Sequence, residues 1–288
     1  MAITDTLPLE HHGSSEQTYV VFLPPQDVMH TLENLGQEVE ATILDPWYNR
    51  GVGGVMPEYN EWLSLLLDRT MRVSKHAFLW GFPDIVCRVL DRLPHGTELV
   101  AWLTWYFKNC PTVIRGWRPG QYTCLHIARS DASLYPEHFM NELQQEKLAA
   151  GKLRYIPGPT TVFEAPLNIG FVGRHEQTGH PSQKPISVIE PLILMSTKEG
   201  DTVLDPMCGA GTTGVVCQRT KRNAIICDHS PEYMEIAARR IKAGPAANGH
   251  LCEKYSVKNS NMILFCSSEE YRTISSRETL PESGCSSP

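Results

Sequence analysis

Strand-like and helix-like runs alternate along most of this chain, and that alternation limits the fold more than any single motif does. Apolar, β-branched runs at 19–23, ending at Leu44, and at 76–82 are interleaved with helical spacing at 27–35, 59–73 and 83–93. Two further strand-like runs, 98–107 and 122–128, flank a loop punctuated by Pro and Gly. The pattern resumes as a helix at 186–196, a strand at 201–204, a helix at 212–220, a strand at 223–227 and a helix at 232–243. Parallel strands need crossover connections, and crossover helices cover a sheet's faces, so the expectation is an α/β fold with a mostly parallel sheet covered on both sides. Residues 131–180 break the pattern with one polar helix at 136–150 and a remainder rich in Gly, Pro, Thr and His. A long irregular insertion in an α/β protein carries binding more often than stability, which marks this one as substrate-facing. The expected organisation is a flexible arm at 1–17, one domain at 18–247 and a Ser-rich, disordered tail at 248–288.

Composition excludes several classes. With 41% hydrophobic and 20% charged residues over 288 positions, the chain can bury a proper core. No apolar run approaches the roughly 18 residues needed to span a bilayer, and the N-terminus has no signal-peptide pattern, so a soluble, intracellular, non-secreted protein is expected. Nine cysteines without a CxxC pair, several in apolar stretches (Cys87, Cys124, Cys208, Cys217, Cys227), predict free core thiols and no structural metal. A net charge of -6 argues against a protein that coats nucleic acid. Between Ala101 and Ser130, however, the only charged residues are Lys108, Arg115, Arg118 and Arg129, with Trp105, Tyr106, Trp117 and Tyr122 among them. That stretch is either a solvated loop with core aromatics or a nucleic-acid-facing edge.

Two constellations carry chemistry. The first is Asp45-Pro46-Trp47-Tyr48 at the end of the strand that finishes at Leu44. Pro46 cannot donate to a ladder, so the strand opens there, placing a carboxylate and two rings at a carboxyl edge, where open α/β sheets bind ligands. The second runs from Val203 to Gly214: strand, tight glycine turn, helix start. Gly209 and Gly211 let backbone approach a ligand, while Thr212 and Thr213 cap the helix. Asp228 lies 17 positions after Gly211 at the next strand's end, where an acidic residue receives ribose hydroxyls. A nucleoside carrying a carboxylate fits better here than a dinucleotide, because Asp205 at the strand tip repels a pyrophosphate and favours an ammonium or sulfonium.

Taken together, Asp45-Pro46-Trp47-Tyr48-Asn49-Arg50-Gly51, His180-Pro181-Ser182-Gln183-Lys184-Pro185, the glycine turn from Asp205 to Thr213, and 228–233 resemble the DNA amino-methyltransferases that modify adenine N6 or cytosine N4. The resemblance covers roughly 19–241, with the catalytic motif ahead of the cofactor motif, as in the family's permuted β class. It implies a Rossmann-like methyltransferase fold with a mostly parallel seven-stranded sheet, S-adenosylmethionine as cofactor and 131–180 as the target-recognition segment. It also implies catalytic roles for Asp45, Pro46, Trp47 and Tyr48, and cofactor contacts from Lys184, Asp205, Pro206, Gly209, Gly211, Thr212, Thr213 and Asp228. Arg115, Arg118, Arg154 and Arg174 are the candidate nucleic-acid contacts. Trp47 stands where the family usually has Pro, a change that alters how stiffly the loop is held. The expected substrate is DNA, with adenine N6 favoured over cytosine N4 because the motif opens with Asp. Alternatives are RNA methylation, or a non-catalytic partner subunit that keeps the fold, and a homodimer is compatible with either. Such an enzyme belongs in the cytoplasm of a prokaryote or virus-infected cell, or in a eukaryotic nucleus.

Overall fold

The computed structural model describes residues 18–50, 54–244, 262–266 and 271–274. The predicted N-terminal arm and most of the predicted tail lie outside them. Ten strands form one sheet: β1 (Tyr19–Phe22), β2 (Val39–Leu44), β3 (Ser74–Gly81), β4 (Thr97–Tyr106), β5 (Gln121–Arg129), β6 (Val162–Glu164), β7 (Thr202–Asp205), β8 (Asn223–Ile226), β9 (Met262–Cys266) and β10 (Tyr271–Ile274). Their spatial order is β10-β9-β1-β8-β7-β2-β3-β5-β4-β6. From β9 to β3 every neighbouring pair is parallel, whereas β5 is antiparallel to both β3 and β4. The Rossmann-like, mostly parallel α/β architecture is therefore as expected, but among the described residues the sheet has ten strands, not seven. The three-residue β6 joins the β4 edge in parallel, and β9 and β10 extend the β1 edge. Two pieces of the predicted disordered tail are thus strands, because an apolar run such as Met-Ile-Leu-Phe-Cys finds the open backbone groups of β1.

Helices cover both faces. On one side α5 (Ile186–Ser196), α6 (Thr212–Thr220) and α7 (Pro231–Lys242) pack on Ile43, Phe78, Trp80, Val203 and Ile226. On the other, α1 (Val28–Asn34) and α2 (Tyr59–Val73) pack on Leu44, Ala77, Leu79, Leu204 and Ile225. Strand residues reach the two layers alternately, as the period of two dictates. The expected helix at 83–93 is a short α3 (Pro83–Val86) running into a 3-10 turn (Cys87–Arg92), and Cys87 is exposed rather than in the core. The polar helix of the insertion is likewise split, into a 3-10 turn at Pro136–Phe139 and α4 (Glu142–Ala149) with an Asn141–Gln144 capping box. Among the described residues no helix is long and apolar enough to cross a membrane.

Chain direction decides where the site falls. From β7 the chain crosses through α6 to β8 on one side, and from β2 it crosses through α2 to β3 on the other. The adjacent, parallel β2 and β7 are therefore the switch point of the sheet, and the region beyond their carboxyl ends is where such a sheet forms its binding crevice.

At the opposite end of the sheet the insertion is tied down by a buried histidine pair. His76 Nε2 faces the Ser133 carbonyl at 3.1 Å, and His76 Nδ1 faces His126 Nε2 at 3.1 Å. Donation from His76 to the carbonyl leaves Nδ1 as acceptor for His126, so both rings are held neutral. Burial lowers His76 to about 4 and His126 to about 3. Groups whose folded pKa is depressed below the usual 6.5 contribute stability that is complete above pH 6.5 and lost as the pH falls toward 4. His126→Phe should accordingly show a smaller fall in Tm between pH 6.5 and 4 than the parent chain, measured by thermal melts across that range. Equal slopes would assign the acid loss to other groups.

Candidate active site

Asp45 follows β2 and Asp205 ends β7; the strands pair Thr42 with Leu204, so both carboxylates leave the sheet at the same edge. Asp45 is joined to Tyr48 and Lys184 in a closed triangle. Tyr48 Oη donates to Asp45 Oδ1 at 2.9 Å, Lys184 Nζ donates to Tyr48 Oη at 3.0 Å, and Lys184 forms an ion pair with Asp45 Oδ2. Lys184 is buried and also lies over the Trp80 ring at 5.0 Å. Burial, then the neighbouring Asp45 charge, raises the Tyr48 phenol well above its ordinary value, so it stays a neutral donor. The Tyr48 ring meets Phe82 at 5.0 Å and Tyr122 at 5.3 Å, and Tyr122 continues to Trp105 and Phe107. An aromatic wall thus stands beside the carboxylate. Phe82 directly follows β3 and Tyr122 lies at the start of β5, and only those positions at strand ends hinted at the site.

Trp47 points elsewhere. Its ring packs on Tyr59 at 5.2 Å and Trp62 at 4.9 Å, both on α2, and its carbonyl accepts from Tyr59 Oη. The side chain therefore belongs to the helix layer on the opposite face from Tyr48. It does not line the crevice, and its packing stiffens the loop where a second proline is absent. Asn49 closes the turn, exchanging bonds with the Met56 carbonyl and amide at 3.0 and 2.5 Å. Pro46 itself is buried, and among the described residues no donor to its carbonyl is present.

The glycine turn forms the other wall. Asp205 accepts from Thr213 Oγ1 and from the Met207 amide at 3.2 Å, while Asp228 accepts from the Gly209 amide at 3.0 Å and the Ser230 amide at 2.9 Å. Pro206 carries the chain from β7 into this turn. Burial raises the Asp205 carboxyl to about 7 against the two hydrogen bonds, helped by the charges of Asp45 and Asp228. Gly209 and Gly211 have φ of 47° and 71°, and added Cβ atoms would lie 2.9 Å from His180 Nε2 and 2.8 Å from Ala237 Cβ. The glycines are thus required both by conformation and by neighbours. The first of these neighbours, His180, begins the stretch that carries Lys184. Thr212 Oγ1 donates to the Lys184 carbonyl at 3.0 Å and receives Arg240 Nη1 at 2.8 Å. Glu176, in the insertion, accepts from the Ile186 amide at 3.0 Å and lies 3.9 Å from Arg240. Arg240 and Glu176 carried no sequence signal, since they become partners only through the packing of α7.

Lys184 thus joins the two constellations, with its carbonyl at the glycine turn and its ammonium at Asp45. The four arginines do not converge on one point. Arg115 is exposed at a hairpin tip, and Arg118 clamps that loop by donating to the carbonyls of Lys108 and Cys110 at 3.1 and 3.0 Å. Arg154 is exposed in the insertion, and Arg174 caps the Phe171 ring at 4.4 Å. Among the described residues no cluster of three or more His, Cys, Asp or Glu is placed to hold a metal ion.

A crevice lined by Asp45, Asp205 and Asp228 at the switch point of a parallel sheet, entered by a glycine turn, defines a Rossmann-like site for a nucleoside-bearing cation. The family model for DNA methylases of the N6/N4 methyltransferase type matches residues 39–239, and the chain belongs to that family. The type II methyltransferase M.HpaI of Haemophilus parainfluenzae is 27% identical over 234 residues, which are 75% of this chain and 72% of that protein. The type II methyltransferase M2.DpnII of Streptococcus pneumoniae is 51% identical over 69 residues, 24% of this chain and 26% of that one. Among solved structures, the M1.HpyAVI–SAM complex superposes with a TM-score of 0.59 at 22% identity, covering 77% of this chain and 98% of that one. The PvuII DNA methyltransferase (cytosine-N4-specific) gives 0.57 at 17% identity, covering 78% and 88%. These structural likenesses establish the fold.

Gly211→Ala should cost about 1–3 kcal/mol in urea denaturation, because positive-φ strain adds to a clash with the α7 backbone. Gly96→Ala, at φ 77° with nothing within 4 Å, should cost less. Equal losses at both sites would remove the packing contribution.

Proposed function

We propose that this chain transfers a methyl group from S-adenosylmethionine to the exocyclic amine of a base in DNA, adenine N6 in preference to cytosine N4. The observation that carries the reading is the meeting of the Asp45-Pro46-Trp47-Tyr48 strand end with the Asp205-to-Thr213 glycine turn at one switch point. Family membership and the type II methyltransferase relatives support it. The preference for adenine rests on the motif opening with Asp45.

The residues present fit the cofactor. Asp45, Asp205 and Asp228 stand at one sheet edge, a set of carboxylates suited to a ligand that carries a cationic centre. Asp205, Pro206, Gly209, Gly211, Thr212 and Thr213 would hold it, with Asp228 at the ribose end; S-adenosylmethionine supplies an electrophilic methyl group on a sulfonium. The amine of a base is a poor nucleophile, since its lone pair is delocalised into the ring. Acceptors on its two N–H bonds, the Asp45 carboxylate and the Pro46 carbonyl, favour a tetrahedral nitrogen with its lone pair directed out of the ring. Tyr48, Phe82 and Tyr122 offer rings on which a base extruded from the stack can rest. An entering amine must share Asp45 with Lys184 and Tyr48, which hold the carboxylate in place beforehand.

Asp45→Ala should abolish tritiated methyl transfer to DNA while calorimetry shows cofactor affinity largely kept; undiminished turnover would remove Asp45 from this role. Assays on DNA and RNA in parallel decide the polymer, and cofactor binding without transfer to either would favour the partner-subunit alternative. A second prediction follows from Asp205. Its carboxyl titrates at about 7 and a cationic ligand favours the ionised form, so binding releases a proton and strengthens as the pH rises. Cofactor affinity should increase about tenfold from pH 6 to 8, as the ionised fraction does, and this dependence should flatten in Asp205→Asn. A steep dependence retained in that variant would reassign the proton.

A further inference from the structure

The loop between β4 and β5 leaves the sheet on the crevice side, because β5 begins with Gln121 and Tyr122 and the Tyr122 ring lies against Tyr48. Its tip is a miniature hairpin, not an open loop. Ile114 and Trp117 exchange both backbone hydrogen bonds, at 2.8 and 2.9 Å, around Arg115 and Gly116 with φ of 49° and 82°. Positive φ at both central residues is the mark of a two-residue type I′ turn. Arginine is an uncommon occupant of that region of backbone space, so conformational preference does not account for it here. The base of the loop is fastened by the Arg118 clamp, and Asn109 ties it to the insertion through the Leu167 carbonyl and amide at 2.9 and 2.8 Å. On this braced tip Trp117 is 81% exposed, beside the partly exposed Val113 and Ile114. Phe171 is equally exposed, but Arg174 already covers one of its faces.

An indole so exposed on a rigid support costs hydration without contributing to the core, which points to a partner. Trp117 stands five residues before Tyr122, so no more than about 18 Å of chain separates it from the aromatic wall. Arg115 at the exposed tip is a cation that suits a polyphosphate backbone, while Lys108 at the base is paired with Glu164 and Arg118 holds the loop's carbonyls. We infer that Trp117 is a stack-entering wedge: on duplex DNA it occupies the space left by the extruded base, with Arg115 at the flanking phosphates. Apolar wedges between base steps are a general way to compensate lost stacking, and a rigid turn presents the ring without ordering a loop first. This inference rests on the reading under Proposed function, since only a duplex substrate leaves such a space.

The test compares methyl transfer to a duplex and to the matching single strand, using the full chain. Trp117→Ala should reduce transfer to the duplex by about 10- to 100-fold, the range of one base stacked on an aromatic ring. Transfer to the single strand should be unchanged, because there is no stack to repair. Trp117→Phe should retain most of the duplex activity. Unchanged duplex transfer in Trp117→Ala, or equal losses on both substrates, overturns the wedge. Absence of transfer by the unaltered chain to either substrate overturns the parent reading instead, and the wedge with it. The residue is on the surface, so Tm should be the same in all three proteins.

Discussion

The Lys184 ammonium sits between the Asp45 carboxylate and the Tyr48 hydroxyl, while the carbonyl of the same residue accepts from Thr212 at the glycine turn. Two halves of the site, more than 150 residues apart in the chain, meet through one side chain and its own backbone. The electrostatics make this contact matter. Asp45, Asp205 and Asp228 converge at one sheet edge, and Asp205 is raised first by its burial and then by the charges of the other two carboxylates. A cation held at Asp45 offsets part of that repulsion and fixes the orientation of the carboxylate before any ligand arrives.

The surrounding packing serves the same end. Trp47, displaced into the α2 layer against Tyr59 and Trp62, anchors the loop from behind, so that Pro46 and Tyr48 are held on the crevice side. His180 lies over Gly209, and Arg240 reaches Thr212 and the Ala210 carbonyl, so the glycine turn is held from above and below. The insertion contributes here as well as at the rim, since Glu176 bonds the first amide of α5. The stretch expected to face substrate thus also buttresses the glycine-turn wall.

Much of this was legible in the chain. The alternation of apolar periods announced a parallel sheet, because the two backbone geometries repeat at 2 and 3.6 residues wherever one side is buried. Asp45, Tyr48, Gly209, Gly211 and Asp228 were legible because strand ends and glycine turns impose local rules that neighbouring residues disclose. Cys87 and β6 were misread or missed for the converse reason. A four-residue helix entering a 3-10 turn exposes a residue that a longer helix would bury, and a three-residue strand has too few positions to show a period.

Sequence alone disclosed the longer periodic elements, the order of the two motifs and the chemistry of their side chains, all of which depend on residues close together in the chain. Only the tertiary structure decided that β2 and β7 are neighbours, that Lys184 turns its ammonium to Asp45, and that Trp47 faces α2. Those outcomes depend on which strand takes which edge and on how side chains share a limited interior, and neither is written in any local stretch. The opening motif therefore named its chemistry in sequence, while the fold chose the partners that hold it.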